Sequence, residues 1–190
     1  MAEDRYPDQD AQRISPALEG ALVRLRAAEP VDLARLNEMV NDPDVLAGLS
    51  HVTFPQPLQG IRDWLEGSRN AERSIVFVTE TLAGECIGVC SLEAIEARSR
   101  VATLGIWIGK PYWDKGYGTD AVRVLCRFGF RHANLQRIQL HVFAPNERGT
   151  RVYEKVGFKH EGTLRRSHFV GGRYVDTYVM GLLAEDLVEG

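Results

Sequence analysis

The sequence predicts a mixed α/β (α+β) fold, with one seven-stranded, mostly antiparallel sheet and elements in the order β-α-α-β-β-β-α-β-α-β-β. Two observations lead to this prediction. Apolar residues repeat with a period of two in some segments and of 3.6 in others, which distinguishes strands from amphipathic helices. A helical segment from Gly116 to about Ala133 lies between two strand-like segments, and such a β–helix–β unit forms a right-handed parallel pair. We therefore expect strands four and five to be parallel.

The N-terminal part contains the first strand and two helices. Ala21–Arg26 alternates apolar and polar residues, which predicts a strand. Pro30 begins a helix whose apolar stripe ends at Asn41-Asp42-Pro43. A loop from Leu46 to Pro57 then leads to a second amphipathic helix, from Leu58 to Asn70.

The remaining elements are strands and one further helix. β-branched and aromatic content, together with turn signals, predicts six more strands, at about 74–80, 86–95, 100–108, 137–143, 159–170 and 173–183. The last two form a hairpin around Gly171-Gly172. Asn146 caps a helix that ends at Gly157. We interpret 20–190 as a single domain and the polar segment 1–19 as a loose leader, which we expect to lack full order.

Composition and charge restrict the class of protein. The 190 residues are 44% hydrophobic and 26% charged, which is typical of a globular domain that needs no metal or disulfide to form a core. A net charge of -3 argues against binding nucleic acid by bulk electrostatics. No secretory signal or membrane-length apolar run is visible, so we expect a cytoplasmic protein. The 3 cysteines fit neither a zinc site nor a closed disulfide framework, and we expect buried thiols.

The turn between strand four and the next helix has the features of an anion site. Gly116, Gly118 and Thr119 lie at the helix entry, where glycines allow a ligand to approach the main chain and free N–H groups attract negative charge. The turn is not a Walker A loop, because no Gly-Lys-Ser/Thr follows at the right spacing. Nor is it a dinucleotide fingerprint, because the preceding strand belongs to an antiparallel meander.

Two longer segments resemble a known family. Leu104–Ala121, LGIWIGKPYWDKGYGTDA, resembles motif A of the GNAT superfamily of N-acetyltransferases, and Asn146–Phe158, NERGTRVYEKVGF, resembles motif B. The spacing of the two segments also agrees, and the similarity extends from about residue 22 to residue 183. Trp113 stands where many members carry Gln or Arg. That variant, with the tail Gly172–Tyr178, resembles the RimJ/RimL-type branch, which acetylates ribosomal-protein N-termini, spermidine and other small amines.

The resemblance implies a GNAT-like sheet in which strands four and five splay apart and acetyl-CoA lies between them. The pantetheine arm would pair with the backbones of Ile106 and Ile108, and one such N–H would polarise the thioester carbonyl. Asn146 would either hydrogen-bond the pantetheine or cap its helix. The pyrophosphate cradle, mainly of backbone N–H groups, would be formed by Lys115, Gly116, Tyr117, Gly118 and Thr119.

Catalytic groups are implied by motif position. Tyr153 occupies the position of the general acid that protonates the CoA thiolate, and a tyrosine, with an ordinary pKa of about 10, can donate without being ionised at neutral pH. Glu93 on strand three is our first choice for the general base. His51 and His141 are alternatives, and a chain of ordered water molecules could replace a single base.

Two regions would form the acceptor site. His51 and Phe54, in the loop before the second helix, would form one wall, while Asp176 and Tyr178 would stand near the mouth, either orienting a cationic amine or holding the hairpin. The resemblance thus implies an N-acetyltransferase that moves acetyl from acetyl-CoA to a primary amine by direct attack in a ternary complex. A protein N-terminus, a polyamine and another small amine remain open as acceptors, as does a homodimer. The alternative function is a non-catalytic module that senses acyl-CoA.

Overall fold

A computed structural model describes residues 16–49, 54–69 and 73–189. It confirms the predicted sheet, in which the seven strands of the described residues run in the order β1-β2-β3-β4-β5-β7-β6. Neighbouring strands are antiparallel except for β4 and β5, which are parallel as expected. The strands are β1 Val23–Arg26, β2 Ile75–Thr81, β3 Cys86–Glu96, β4 Val101–Ile108, β5 Arg137–Phe143, β6 Lys159–Val170 and β7 Arg173–Leu183.

The helices include one that the sequence did not predict. Asp42 and Pro43 do end α1, but the Asp42 side chain also accepts a hydrogen bond from the backbone N–H of Asp44, and Pro43 begins a new single turn, α2. None of the helices in the described ranges is long and apolar enough to cross a membrane. The α-helices are α1 Asp32–Val40, α2 Pro43–Leu46, α3 Leu58–Arg69, α4 Tyr117–Arg131 and α5 Glu147–Val156.

The sheet separates two apolar clusters. We call its two sides the α4 face, covered by α4 and α5, and the α1 face, covered by α1 and α3. Alternation along each strand sorts the side chains, so that Leu104 of β4 packs on the α4 face while Val89 of β3 packs on the α1 face. The cysteines are buried free thiols, as expected, and burial raises the pKa of Cys90 to about 12.

The strands β4 and β5 pair over only a short length. Val101, Ala102 and Thr103 pair with 137–139 of β5, after which the two strands diverge while β4 stays paired with β3. The backbone N–H of Gly109 donates to the Ile87 carbonyl at 2.8 Å. Because hydrogen-bonding direction alternates along an antiparallel ladder, Ile106 and Ile108 direct their backbone groups into the gap between β4 and β5.

A buried carboxylate joins α4 to the first strand. Asp120, in the first turn of α4, accepts hydrogen bonds from the backbone N–H groups of Ala21, Leu22 and Val23 at 3.3, 2.7 and 3.0 Å. A Cβ atom on Gly20 would lie only 2.4 Å from the Asp120 carboxylate, so the chain must be glycine there.

The predicted leader falls partly within the described residues. Residues 16–18 form a 3-10 turn, Leu18 packs against the α4-face cluster, and Glu19 forms an isolated bridge with Arg24. The segment 1–15 lies outside the described residues.

Replacing Asp120 tests the importance of this carboxylate. We expect Asp120→Ala to lower the free energy of unfolding by about 3 kcal/mol, because three backbone N–H groups lose a charged acceptor. Urea unfolding measures this, with Asp63→Ala as the control. Asp63 accepts only an exposed bond from Gln59, so its loss should cost less than about 0.5 kcal/mol. Equal effects of the two substitutions would contradict the role of Asp120.

Candidate active site

A cavity of about 720 Å³ has lining residues on both faces of the sheet, at the gap between β4 and β5. We call its two parts the α4 half and the α1 half. The α4 half is lined by Gly116, Gly118, Thr119, Arg148, Arg151, Val152, Tyr153 and Lys155. The α1 half is lined by Asp44, Val45, Ala47, Gly48, Leu49, Trp107, Phe143, Val170, Arg173 and Val175. Ile106 and Ile108 lie between them, so the cavity follows the unpaired edge of β4 through the sheet.

The N-terminus of α4 opens into the α4 half. Gly116 has a left-handed φ of 88°, and its carbonyl accepts the first helical bond, from Asp120. The N–H groups of Tyr117, Gly118 and Thr119 therefore have no partner within the helix. A Cβ on Gly118 would approach no atom closer than 4.0 Å, so the main chain is open to a ligand. This arrangement can bind an anion.

Two members of the predicted cradle direct their side chains elsewhere. The Lys115 ammonium donates to the Pro111 carbonyl at 2.8 Å, and the Tyr117 ring packs on Tyr112 with 6.1 Å between ring centroids. Neither residue lines the cavity, whereas Gly116, Gly118 and Thr119 do. Lys115 and Tyr117 can thus contribute through their main chain.

Trp113, the residue of motif A at which many members of the family carry Gln or Arg, fixes the turn between β4 and α4. The Trp113 indole N–H donates to the Ile108 carbonyl at 2.6 Å, which ties the turn to the end of β4. The guanidinium of Arg148 lies 3.4 Å from the centroid of the Trp113 ring, a cation–π contact between the turn and α5. With its carbonyl occupied, Ile108 has only its N–H to offer in the gap.

A row of cations on α5 was missed in the sequence. Arg148, Arg151 and Lys155 all line the α4 half, beside the N-terminus of α4. Arg151 also contacts Glu147 at 3.2 Å, but both side chains are exposed, and such pairs are weak. The spacing i, i+3, i+7 on one helix face was the available signal. These cations place positive charge next to the anion site.

Tyr153 and Asn146 meet at the same cavity. Tyr153 is only 9% exposed, and no described residue hydrogen-bonds its hydroxyl. Burial, and to a lesser degree the neighbouring Cys126, raises the pKa of Tyr153 to about 12, so the hydroxyl keeps its proton. The side-chain oxygen Oδ1 of Asn146 accepts a hydrogen bond from the backbone N–H of Gly149 at 2.9 Å and so caps the helix. Since the cap uses only that oxygen, the Asn146 amide group can still donate, and the two predicted roles are compatible.

Of the three candidate bases, the two that lie within the described residues do not line the cavity. Glu93 pairs with Thr103, at the closed end of the gap, and its carboxylate accepts from the Ser91 hydroxyl at 2.8 Å. His141 is exposed on β5, and His51 lies outside the described residues. Neither Glu93 nor His141 is among the described residues that line the cavity, so any proton transfer to Glu93 requires a water molecule.

The predicted acceptor residues are dispersed. Phe54 is 74% exposed and does not line the cavity, although Ala47, Gly48 and Leu49 of the same region do. Asp176 accepts from the backbone N–H of Arg166 at 2.8 Å and so holds an irregular part of β6. Tyr178 packs against His160 on the α4 face, with 5.1 Å between ring centroids. The observed hydrogen bond of Asp176 therefore stabilises the hairpin of β6 and β7.

Comparisons with known proteins agree with the fold and the motifs. A family model described as "Acetyltransferase (GNAT) domain" matches residues 23–159. The chain is 31% identical over 169 residues to the uncharacterized N-acetyltransferase p20 of Bacillus licheniformis, covering 85% of this chain and 93% of that protein. It is 30% identical over 164 residues to the spermidine N(1)-acetyltransferase of Vibrio cholerae, covering 84% and 91%.

A solved structure shows the same architecture. The crystal structure of spermidine N-acetyltransferase from Vibrio cholerae in complex with CoA and spermine matches with a TM-score of 0.80 at 26% identity, covering 86% of this chain and 96% of that chain. The chain therefore belongs to the GNAT acetyltransferase family, and it is an N-acetyltransferase. The family predicted from the two motifs is confirmed, as is the GNAT fold.

The anion site can be tested without disturbing the fold. We expect Gly118→Asp to weaken acetyl-CoA binding by about 100-fold, because a carboxylate near a phosphate costs about 3 kcal/mol at an effective dielectric constant near 20. Calorimetry measures the dissociation constant. Gly118→Ala is the matched control, because the structure has room for its Cβ, and binding should stay within about threefold. If Gly118→Asp bound acetyl-CoA as tightly as Gly118→Ala, the anion site would lie elsewhere.

Proposed function

We propose that this N-acetyltransferase binds acetyl-CoA along the gap between β4 and β5 and transfers the acetyl group directly to an amine in a ternary complex. The observation that supports this most strongly is the single cavity with lining on both faces of the sheet. This cavity connects the N-terminus of α4 and Tyr153 with the α1 half. The cofactor can therefore enter from one face and the amine from the other.

The cofactor's phosphates belong in the α4 half. The free N–H groups at residues 117–119 would hold the pyrophosphate, and the cations of α5 would balance its charge. The pantetheine amides would then pair with the backbone groups of Ile106 and Ile108, which have no strand partner in the gap. The amide nitrogen of Asn146 adds a further donor. A GNAT relative of similar fold binds CoA, which agrees with this assignment.

The chemistry requires three events. The neutral amine attacks the thioester carbonyl carbon, and a backbone N–H of β4 stabilises the negative charge that develops on the oxygen. The attack forms the C–N bond, and when the resulting tetrahedral adduct collapses the C–S bond breaks and the sulfur takes the proton of the Tyr153 hydroxyl, which solvent restores. The amine gives up one proton to water, with Glu93 as the final acceptor, since the Glu93 side chain shares the α1 face with Ser91 and Gly105.

The acceptor is a primary amine. A spermidine acetyltransferase lies among the chain's relatives, so a polyamine is one candidate, beside a protein N-terminus and another small amine. We place the reaction in the cytoplasm, where buried thiols such as those of Cys86, Cys90 and Cys126 stay reduced.

Replacing Tyr153 by phenylalanine separates an enzyme from a sensor of acyl-CoA. We expect Tyr153→Phe to lower kcat roughly 10²- to 10⁴-fold, because the leaving thiolate loses its proton donor. The dissociation constant of acetyl-CoA should change less than about threefold. Since the pKa of Tyr153 is about 12, the residue stays protonated at lower pH, and the loss should be the same from about pH 6 to pH 10.

Thiol release measures the rate, and Tyr174→Phe is the matched control, because Tyr174 is exposed on the hairpin and lies outside the cavity. An unchanged kcat in Tyr153→Phe would remove Tyr153 from the mechanism. Tight binding of acetyl-CoA by the unmodified protein, without turnover on any amine, would favour the sensor.

A further inference from the structure

The α1 half of the cavity has little negative charge. Its one carboxylate among the described residues, Asp44, forms an ion pair with Lys110. The described part of the loop before α3, residues 54–57, contains no acidic residue. A polyamine carries several ammonium groups, and moving them out of water without carboxylate partners is costly. This half is therefore poorly suited to a polycation.

An unpaired arginine lies in the same half. Arg173 is the first residue of β7, and alternation along the strand places it on the α1 face with Val175. No described residue accepts a hydrogen bond from its guanidinium or forms an ion pair with it. Two other arginines of the sheet do have carboxylate partners, Arg26 in Asp32 and Arg137 in Glu161. Arg173 is thus available to a ligand.

The positive charge of Arg173 is not needed to bind the cofactor. The cations that would meet the phosphates of CoA lie on α5, in the α4 half, on the other side of the sheet. Arg173 faces the part of the cavity in which the acceptor would sit. A guanidinium binds a carboxylate through two parallel hydrogen bonds, which gives both attraction and orientation.

The rest of the α1 half is mainly apolar. Aliphatic and aromatic surface lies around Arg173 and is supplied by Val45, Leu49, Phe143, Val170 and Val175. Such a surface suits an uncharged side chain of modest size. Among the described residues of this half, no carboxylate other than the paired Asp44 could bind a second ammonium group.

Resting on the proposed function, we infer that the preferred acceptor is an amine that also carries a carboxylate and an apolar side chain, as an apolar α-amino acid does, and that Arg173 binds the carboxylate. The amine then points toward the gap between β4 and β5. Acetylation forms the amide C–N bond, breaks the thioester C–S bond and leaves the carboxylate unchanged. Because the α1 half has little negative charge, we expect it to favour such an amine over a polyamine.

The experiment compares matched acceptors. Leucine, methionine and phenylalanine are each paired with their carboxamides, spermidine is added, and kcat/KM is measured by thiol release with acetyl-CoA. We expect Arg173→Gln to lower kcat/KM for the free amino acids about 10- to 100-fold and to leave the carboxamides within about threefold. The comparison of variant with unmodified protein cancels differences in amine basicity within each pair.

A control variant separates binding from general damage. Arg165→Gln removes an exposed arginine of the same hairpin that does not line the cavity, and it should leave all values unchanged. The KM of the amino acids should rise with salt in the unmodified protein, while that of the carboxamides should not. Both variants should keep the thermal midpoint of the unmodified protein, because neither side chain has a partner to lose.

Four outcomes would overturn the inference, and the first three concern it alone. One is equal loss for acids and carboxamides in Arg173→Gln, and another is no loss for either. The third is a higher kcat/KM for spermidine than for every amino acid, which would leave the proposed acetyl transfer intact. Absence of turnover with all acceptors, despite acetyl-CoA binding, would overturn both this inference and the proposed function.

Discussion

The short pairing between β4 and β5 is the constraint on which the site depends. Three residue pairs hold the two strands together, and beyond Thr103 they separate. A parallel pair requires a crossover, and here the crossover is α4, which begins soon after β4 ends. The open end of the gap and the N-terminus of α4 are therefore brought to the same place by connectivity alone. The backbone N–H and carbonyl of Ile106 and the N–H of Ile108 need partners in the gap, and a ligand with amide groups can supply them.

Contacts around the gap hold this arrangement in place. Asp120 binds the start of β1 to α4, and Trp113 binds the turn to the end of β4. Arg35 of α1 donates both to the Tyr112 hydroxyl and to the Cys86 carbonyl, so α1 is fixed to the same turn. These contacts join distant parts of the chain, and two of the residues that make them, Tyr112 and Trp113, line the cavity. The site is thus built before a ligand arrives, which reduces the ordering cost of binding.

Periodicity and spacing predicted much of this fold. Alternation predicted the first strand, β-branched and aromatic content with turn signals predicted the other six, and the position of α4 predicted the parallel pair, because these features follow from local pattern and general topology. The splay and the role of Tyr153 came from the resemblance to motifs A and B. The structure brings Gly116, Gly118, Asn146 and Tyr153 to a single cavity, whereas the predicted cofactor residues Lys115 and Tyr117 do not line it.

Other features depend on tertiary contacts that no local pattern contains. Asn41-Asp42-Pro43 signals a helix end equally well whether or not a new turn, α2, begins there. A basic row on α5 looks like a solvated face until the neighbouring helix is known. The distance of Glu93 from the cavity follows from its register with Thr103, and the direction of Phe54 from the path of its loop. That Arg173 lines the cavity becomes clear only when alternation along β7 places it on the α1 face.

The most direct measurement is backbone amide hydrogen exchange with and without CoA. If the pantetheine arm pairs with the free edge of β4, the N–H groups of Ile106 and Ile108 will exchange more slowly when CoA is bound. Gly105 and Trp107 provide an internal reference, since their N–H groups already face β3 and should change little. Slower exchange confined to the N-terminus of α4, with Ile106 and Ile108 unaffected, would contradict binding in the gap.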